Sequence, residues 1–279
     1  MQPGQPSRTA LGAAGHRAAH QVLEQGAIFS DPLAVPILGP DAGAQIDDAR
    51  TNPAKRGLRL FVAIRARIAE DSLAAAVARG VRQLVILGAG LDTYAYRGAL
   101  RDRVRIFEVD HPATQAWKRA RLAEAAIQVP ASLTFAPIDF ERETLPVKLN
   151  GAGFDATQPS FFVWLGTVPY LSEAAIEATL GFAAGLAAGA EIVFDYPEPI
   201  HLVKDPKARA SREALAARTA AAGEPIISHF EPQPMRDRLL RLGFRTVEDW
   251  GAAEITVRFA AMLGGPWRGG AHVVRASTL

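Results

Sequence analysis

The chain of 279 residues carries 31 Lys and Arg against 29 Asp and Glu, a formal net charge of +2, with 49% hydrophobic residues and no cysteine. That length fits one large α/β domain, and the mixture of apolar and oppositely charged residues excludes disorder, coiled coil and collagen. The missing cysteines exclude disulfides, thiolate zinc sites and a cysteine nucleophile. The sequence pI of about 9.1 looks basic. However, the densest basic runs, Arg101–Arg105 and Lys118–Arg121, are short and have acids nearby, so no nucleic-acid-binding stripe is expected.

Met1–Gly15 is rich in Pro, Gly and Ala and lacks the apolar core of a secretion signal. The most apolar stretch, Ala178–Ala190, falls short of the roughly 18–20 residues that span a bilayer. The expectation is a cytoplasmic protein with no membrane contact and no obligate protein partner. Residues 1–80 read as a helical cap. Ser7–Gln25 is the first helix, and Asp31-Pro32 is a plausible cap and first turn for a second. In Leu58–Ala78, Leu60, Ile64, Ile68 and Leu73 form one apolar stripe, with Arg59, Arg67 and Glu70 elsewhere.

From Val81 the pattern changes. Leu84–Leu87, Arg105–Asp110, Leu133–Asp139, Phe161–Leu165 and Glu191–Tyr196 read as buried strands. Ala113–Ala126 and Ser172–Leu186 are helical, and the short crossover from Gly90 to Arg105 holds at most a small helix. Strands alternating with helices predict a doubly wound, mostly parallel sheet over 81–279. Arg245–Trp250 and His272–Ala276 bring the strands to seven, and Pro197–Gln233 is a helical insertion after the fifth. Cap and core together are expected to form one structural domain.

Ligands of such sheets bind beyond the carboxyl ends of the strands. Those ends read Gly88-Ala89-Gly90-Leu91-Asp92, Glu108-Val109-Asp110, Asp139, Leu165-Gly166 and Asp195-Tyr196. Gly88 and Gly90 let the backbone approach a ligand closely. Asp110 stands at about the twenty-residue spacing from which a second-strand acid binds ribose hydroxyls. A dinucleotide site wants a third glycine where Thr93 stands, and Asp92 would repel a diphosphate. Beside a sulfonium and an amino group the same carboxylate is useful, so the turn favours S-adenosyl-L-methionine over NAD.

Several motifs together resemble the leucine carboxyl methyltransferase-like family of class I S-adenosylmethionine-dependent methyltransferases. They are Ser7-Arg8-Thr9-Ala10, Phe29-Ser30-Asp31-Pro32, Ile64-Arg65-Ala66-Arg67, Val85–Arg97, and Phe107–Pro112 with Lys118 and Asp139. The resemblance implies a Rossmann-like methyltransferase fold and roles for particular residues. Arg65 would hold the methionine carboxylate, and Gly88, Ala89, Gly90 and Asp92 would line the methionine. Asp110, followed by His111, would take the ribose; Asp139 would accept from the adenine amino group with Phe140 beside the ring. Relatives often carry Glu at position 165, where this chain has Leu165 with only a backbone carbonyl to offer. Tyr170 matches an aromatic position facing the reaction centre.

The implied reaction is in-line methyl transfer, with O-methylation favoured and a small-molecule carboxylate as a plausible acceptor. A carboxylate needs no general base; for a hydroxyl or amine, His111, His201 and His229 are candidates, with Tyr170 and Tyr196 as orienting hydroxyls. His16 and His20 lie one helical turn apart and read as a surface pair, and no metal site is expected. The alternatives are a nicotinamide-dependent oxidoreductase and a non-catalytic S-adenosylmethionine-binding module.

Overall fold

The computed structural model describes residues 7–140 and 142–279, so the first six residues of the Pro/Gly/Ala-rich segment lie outside the described residues. Ser7 is extended, and its hydroxyl accepts from Ala10 N at 3.0 Å, which starts α1 (Arg8–Leu23). α2 (Ala34–Leu38), α3 (Ala42–Thr51) and α4 (Arg56–Ala78) follow. The stripe of Leu60, Ile64, Ile68 and Leu73 is buried against the sheet, as its spacing predicts.

Three polar residues of this cap are tied into the interior. Arg59 is only 5% exposed, because Glu24 accepts from its Nε and Nη2 and the Ala49 carbonyl from its Nη1. Asp31 caps the turn that leads into α2, its Oδ1 accepting from Leu33 N at 3.1 Å, and its carboxylate is also buried among Arg17, Arg97 and Thr93. His20 is 1% exposed, its Nε2 accepting from Ile28 N at 3.3 Å and Phe29 N at 3.4 Å, so it is no surface residue. Each polar head has found a partner on another segment, which sequence spacing does not reveal.

The core alternates β1 (Gln83–Leu87), α5 (Tyr94–Arg97), β2 (Arg105–Asp110), α6 (Pro112–Glu124), β3 (Leu133–Pro137), α7 (Leu145–Gly151), β4 (Ser160–Trp164), α8 (Glu173–Ala184) and β5 (Ala190–Pro197). Then come α9 (Pro206–Ala221), α10 (Pro232–Leu242), β6 (Thr246–Trp250), α11 (Ala252–Leu263) and β7 (Ala271–Ser277). The seven strands run in the order β3-β2-β1-β4-β5-β7-β6. β1 to β5 pair in parallel, and β7 lies antiparallel between β5 and β6.

Strand side chains alternate between faces, so each strand feeds two apolar layers. Leu84, Ile86, Ile106, Phe161 and Val163 pack toward α1–α4 and α11. Val85, Leu87, Phe107, Val109, Phe162 and Trp164 pack toward α7, α8 and α10. The strand order reverses between β1 and β4, and that switch point opens a crevice beyond their carboxyl ends. Among the described residues no helix is long and apolar enough to cross a membrane.

Candidate functional site

After β1 the chain turns through Gly88 and Gly90, with φ of +62° and +43°. Glycine adopts this left-handed backbone without the steric cost a Cβ imposes. A Cβ on Gly88 would also run into the Thr167 side chain, and one on Gly90 would lie 3.0 Å from Ala10 Cβ. The turn is thus pinned between the loop after β4 and the first turn of α1. Ala89 between them is buried, its N–H donating to Val109 O at 3.1 Å. Asp92 closes the turn by accepting from Tyr94 N at 2.8 Å.

Asp110, at the end of β2, is fastened to this turn. Its Oδ2 accepts from Gly90 N at 2.5 Å and its Oδ1 from His111 N at 2.6 Å. Burial pushes the Asp110 carboxyl up, and the Gly90 and His111 N–H groups and nearby Lys118 oppose that shift. A carboxylate offers about four lone-pair sites. With two backbone donors seated, capacity remains for a vicinal diol. His111 caps α6, its Nδ1 accepting from Ala113 N at 3.2 Å. Beyond β3, Asp139 is partly buried with its N–H donating to Glu143 Oε2 at 3.0 Å, while Phe140 packs on the second apolar layer.

A second group forms where β4 and β5 end. Arg65 reaches across from α4, its Nη1 2.8 Å from Asp195 Oδ2. Asp195 Oδ1 accepts from Gly166 N at 2.6 Å. Leu165, one residue before, is partly buried and packs on the first apolar layer. Tyr170 stands in the 3-10 turn Val168–Tyr170. Burial pushes its hydroxyl up to about 12; Arg65 opposes that shift, and Asp195 and Glu224 reinforce it.

Tyr196 does not join this group. It is fully buried, its hydroxyl donates to Asp249 Oδ2 at 2.6 Å, and its ring stacks on His272. Side chains alternate along β5, so when Asp195 faces Arg65 its neighbour enters the opposite apolar layer. Tyr196 is therefore withdrawn as an orienting hydroxyl. His201 and His229 are exposed on the insertion.

Sequence reasoning gave no role to three residues that the fold brings to the site. Asp195 was visible as a strand-ending acid, and only its pairing with Arg65 was hidden. Glu224, in the turn after α9, accepts from Ser7 Oγ, Arg8 N and Thr9 N at 3.2, 3.0 and 2.9 Å, latching the insertion to α1. No local signal announces that contact. His16 is partly buried and pushed down to about 4 by burial and by Lys55, Arg59, Arg65 and Arg218.

Fold and site together define an open α/β sheet domain with Asp110 and the Arg65–Asp195 pair at the carboxyl ends of its parallel strands. The sequence model of the leucine carboxyl methyltransferase family matches residues 10–184, and the chain belongs to that family. A Mycolicibacterium paratuberculosis relative, provisionally named an S-adenosyl-L-methionine-dependent methyltransferase, is 34% identical over 68% of this chain and 64% of its own length. The Bacillus subtilis protein YktD, provisionally given the same name, is 35% identical over 64% of this chain and 59% of its own. The chain thus spans less than two thirds of these relatives. Among solved structures, one described as a possible exported protein from Bordetella parapertussis shares the fold with a TM-score of 0.51, at 13% identity and over 99% of both chains.

Proposed function

We propose that this chain binds S-adenosyl-L-methionine and methylates an oxygen of a small-molecule acceptor, a carboxylate, leaving S-adenosyl-L-homocysteine. The observation that carries the reading is Asp110 fastened to the N–H of Gly90 at the end of β2, with Arg65 held by Asp195 at the end of β5. When bound, the cofactor supplies a methyl carbon activated by positive sulfur. The residues present fit its donor and acceptor set. Asp110 has lone pairs for the ribose hydroxyls, Asp139 for the adenine amino group, and the Arg65 guanidinium suits the methionine carboxylate.

The protein's remaining task is to orient the acceptor and exclude water. At neutral pH Tyr170, pushed up to about 12, keeps its proton and can donate it to an acceptor oxygen. A carboxylate arrives already ionised, which agrees with His111 serving as a helix cap. The insertion is tied to the cap and to the turn that holds Tyr170: Ser211 Oγ donates to Ala54 O at 3.3 Å, and Ile227 N donates to Pro169 O at 2.8 Å beside Tyr170.

Two features disfavour a nicotinamide cofactor. Thr93 is fully buried against Asp31 where a third glycine would be needed. The helix after the turn, α5, has four residues and presents no long helix N-terminus to a pyrophosphate. Calorimetry with S-adenosyl-L-homocysteine and NADH tests the cofactor. Labelled methyl transfer to carboxylate, hydroxyl and amine panels tests the acceptor; methylation confined to amines would refute O-methylation.

A further inference from the structure

The Arg65–Asp195–Gly166 group joins three elements that are far apart in sequence. Phe194 is the register partner of Trp164, so Asp195 lies alongside Leu165 and Gly166 on the neighbouring strand. Asp195 is 3% exposed and spends one oxygen on Arg65 and the other on Gly166 N. Gly166 has φ +71°, and a Cβ there would stand 2.5 Å from Arg65 Nη2 and 2.9 Å from Nη1. The guanidinium therefore sits close against a left-handed backbone that favours glycine. A guanidinium has five N–H donors, and Asp195 is the acceptor that Arg65 meets among the described residues. The remaining donors are left for a guest.

We propose that Asp195 and Gly166 are positioning residues for Arg65, fixing its fork for the carboxylate of an α-amino acid group on the ligand. The proposal rests on the cofactor reading above. Arg carries several rotatable bonds, and holding them before the ligand arrives removes an ordering cost from binding. Asp195 sets the direction of the fork from one side, and the missing Cβ of Gly166 sets its depth from the other. Position 165 contributes no side-chain charge here, so the acid beside the fork comes from β5.

The test compares two ligands that share adenosine and sulfur but differ at the amino-acid end. S-Adenosyl-L-homocysteine has the α-amino acid; 5′-methylthioadenosine lacks it. Calorimetric affinities are measured for the wild type, Asp195→Asn and Gly166→Ala, with thermal melting as the folding control. Expected is a loss of about tenfold or more for S-adenosyl-L-homocysteine in both variants, with 5′-methylthioadenosine unchanged within about twofold. Equal losses for both ligands would mark Asp195 as merely structural. Unchanged or tightened S-adenosyl-L-homocysteine binding would overturn the positioning role. Gly166→Ala keeps the question answerable if Asp195→Asn fails to fold. A wild type that binds neither ligand overturns the cofactor reading and this inference with it, whereas a wild type that binds both leaves the variants to decide.

Discussion

Glu224→Ala isolates one contact that closes the molecule over its glycine turn. The carboxylate is 8% exposed and takes three donors from the first turn of α1: Ser7 Oγ, Arg8 N and Thr9 N. Hydrogen bonds to a charged group contribute about 1.5–3 kcal/mol each, but water can reach a freed helix N-terminus, so the net loss resembles a strong cap, about 2 kcal/mol. At 1.4 kcal/mol per factor of ten, that is roughly a 30-fold rise in local opening of α1. Ala10 rests against Gly90, so opening also frees the turn that Asp110 holds. Hydrogen exchange resolved by residue reads this directly. The amides of Leu11–Ala14 should exchange about 30-fold faster while β1 and β5 keep their protection. Unchanged exchange in α1 would refute the latch, and uniform acceleration through the sheet would show that Glu224 supports the whole fold instead.

Three further outcomes are expected. Lys118 and Glu108 form a buried pair at 2.7 Å beneath Tyr96; Lys118→Met should cost about 3–5 kcal/mol in urea unfolding, and adding Glu108→Gln should recover part of it. His16, pushed down to about 4, stays neutral in the folded chain while the unfolded chain takes up a proton below pH 6.5. Stability from this group is therefore complete above pH 6.5 and falls as the pH drops toward 4. His16→Gln should shrink the drop in melting temperature between those values, and an unchanged drop would place the acid sensitivity elsewhere. Tyr196→Phe removes the donor to Asp249 and should cost about 1–2 kcal/mol while leaving S-adenosyl-L-homocysteine affinity unchanged; a loss of affinity would restore Tyr196 to the site.

Much of the sheet was legible because buried strands announce themselves as short apolar runs. Arg105–Asp110 forms β2 with the boundaries its residues suggest, and the crossover after Gly90 holds the four residues of α5 and a 3-10 turn, Arg101–Arg103. The acids that end strands were legible too, since a strand's polar terminus falls at the sheet's edge. Partners across the fold were not. Nothing local to Arg59 pairs it with Glu24, and Asp31 caps its turn as its neighbours suggest while Arg17 and Arg97 around it stay hidden. Tyr196 shared a strand end with Asp195, and the alternation of side chains along β5 separates their roles. Glu224 and Arg8 lie 216 residues apart, a distance no periodicity spans.

β7 follows every other strand in the chain, yet it lies between β5 and β6 rather than at the sheet's edge. The sheet is therefore complete only once Ala271–Ser277 take their place between β5 and β6. β7 also runs past the anchor of Arg65, because Val273 pairs with Asp195. Shortening the chain before Ala271 would therefore detach β6 and leave β5 with β4 as its one strand partner, although every residue matched by the family remained.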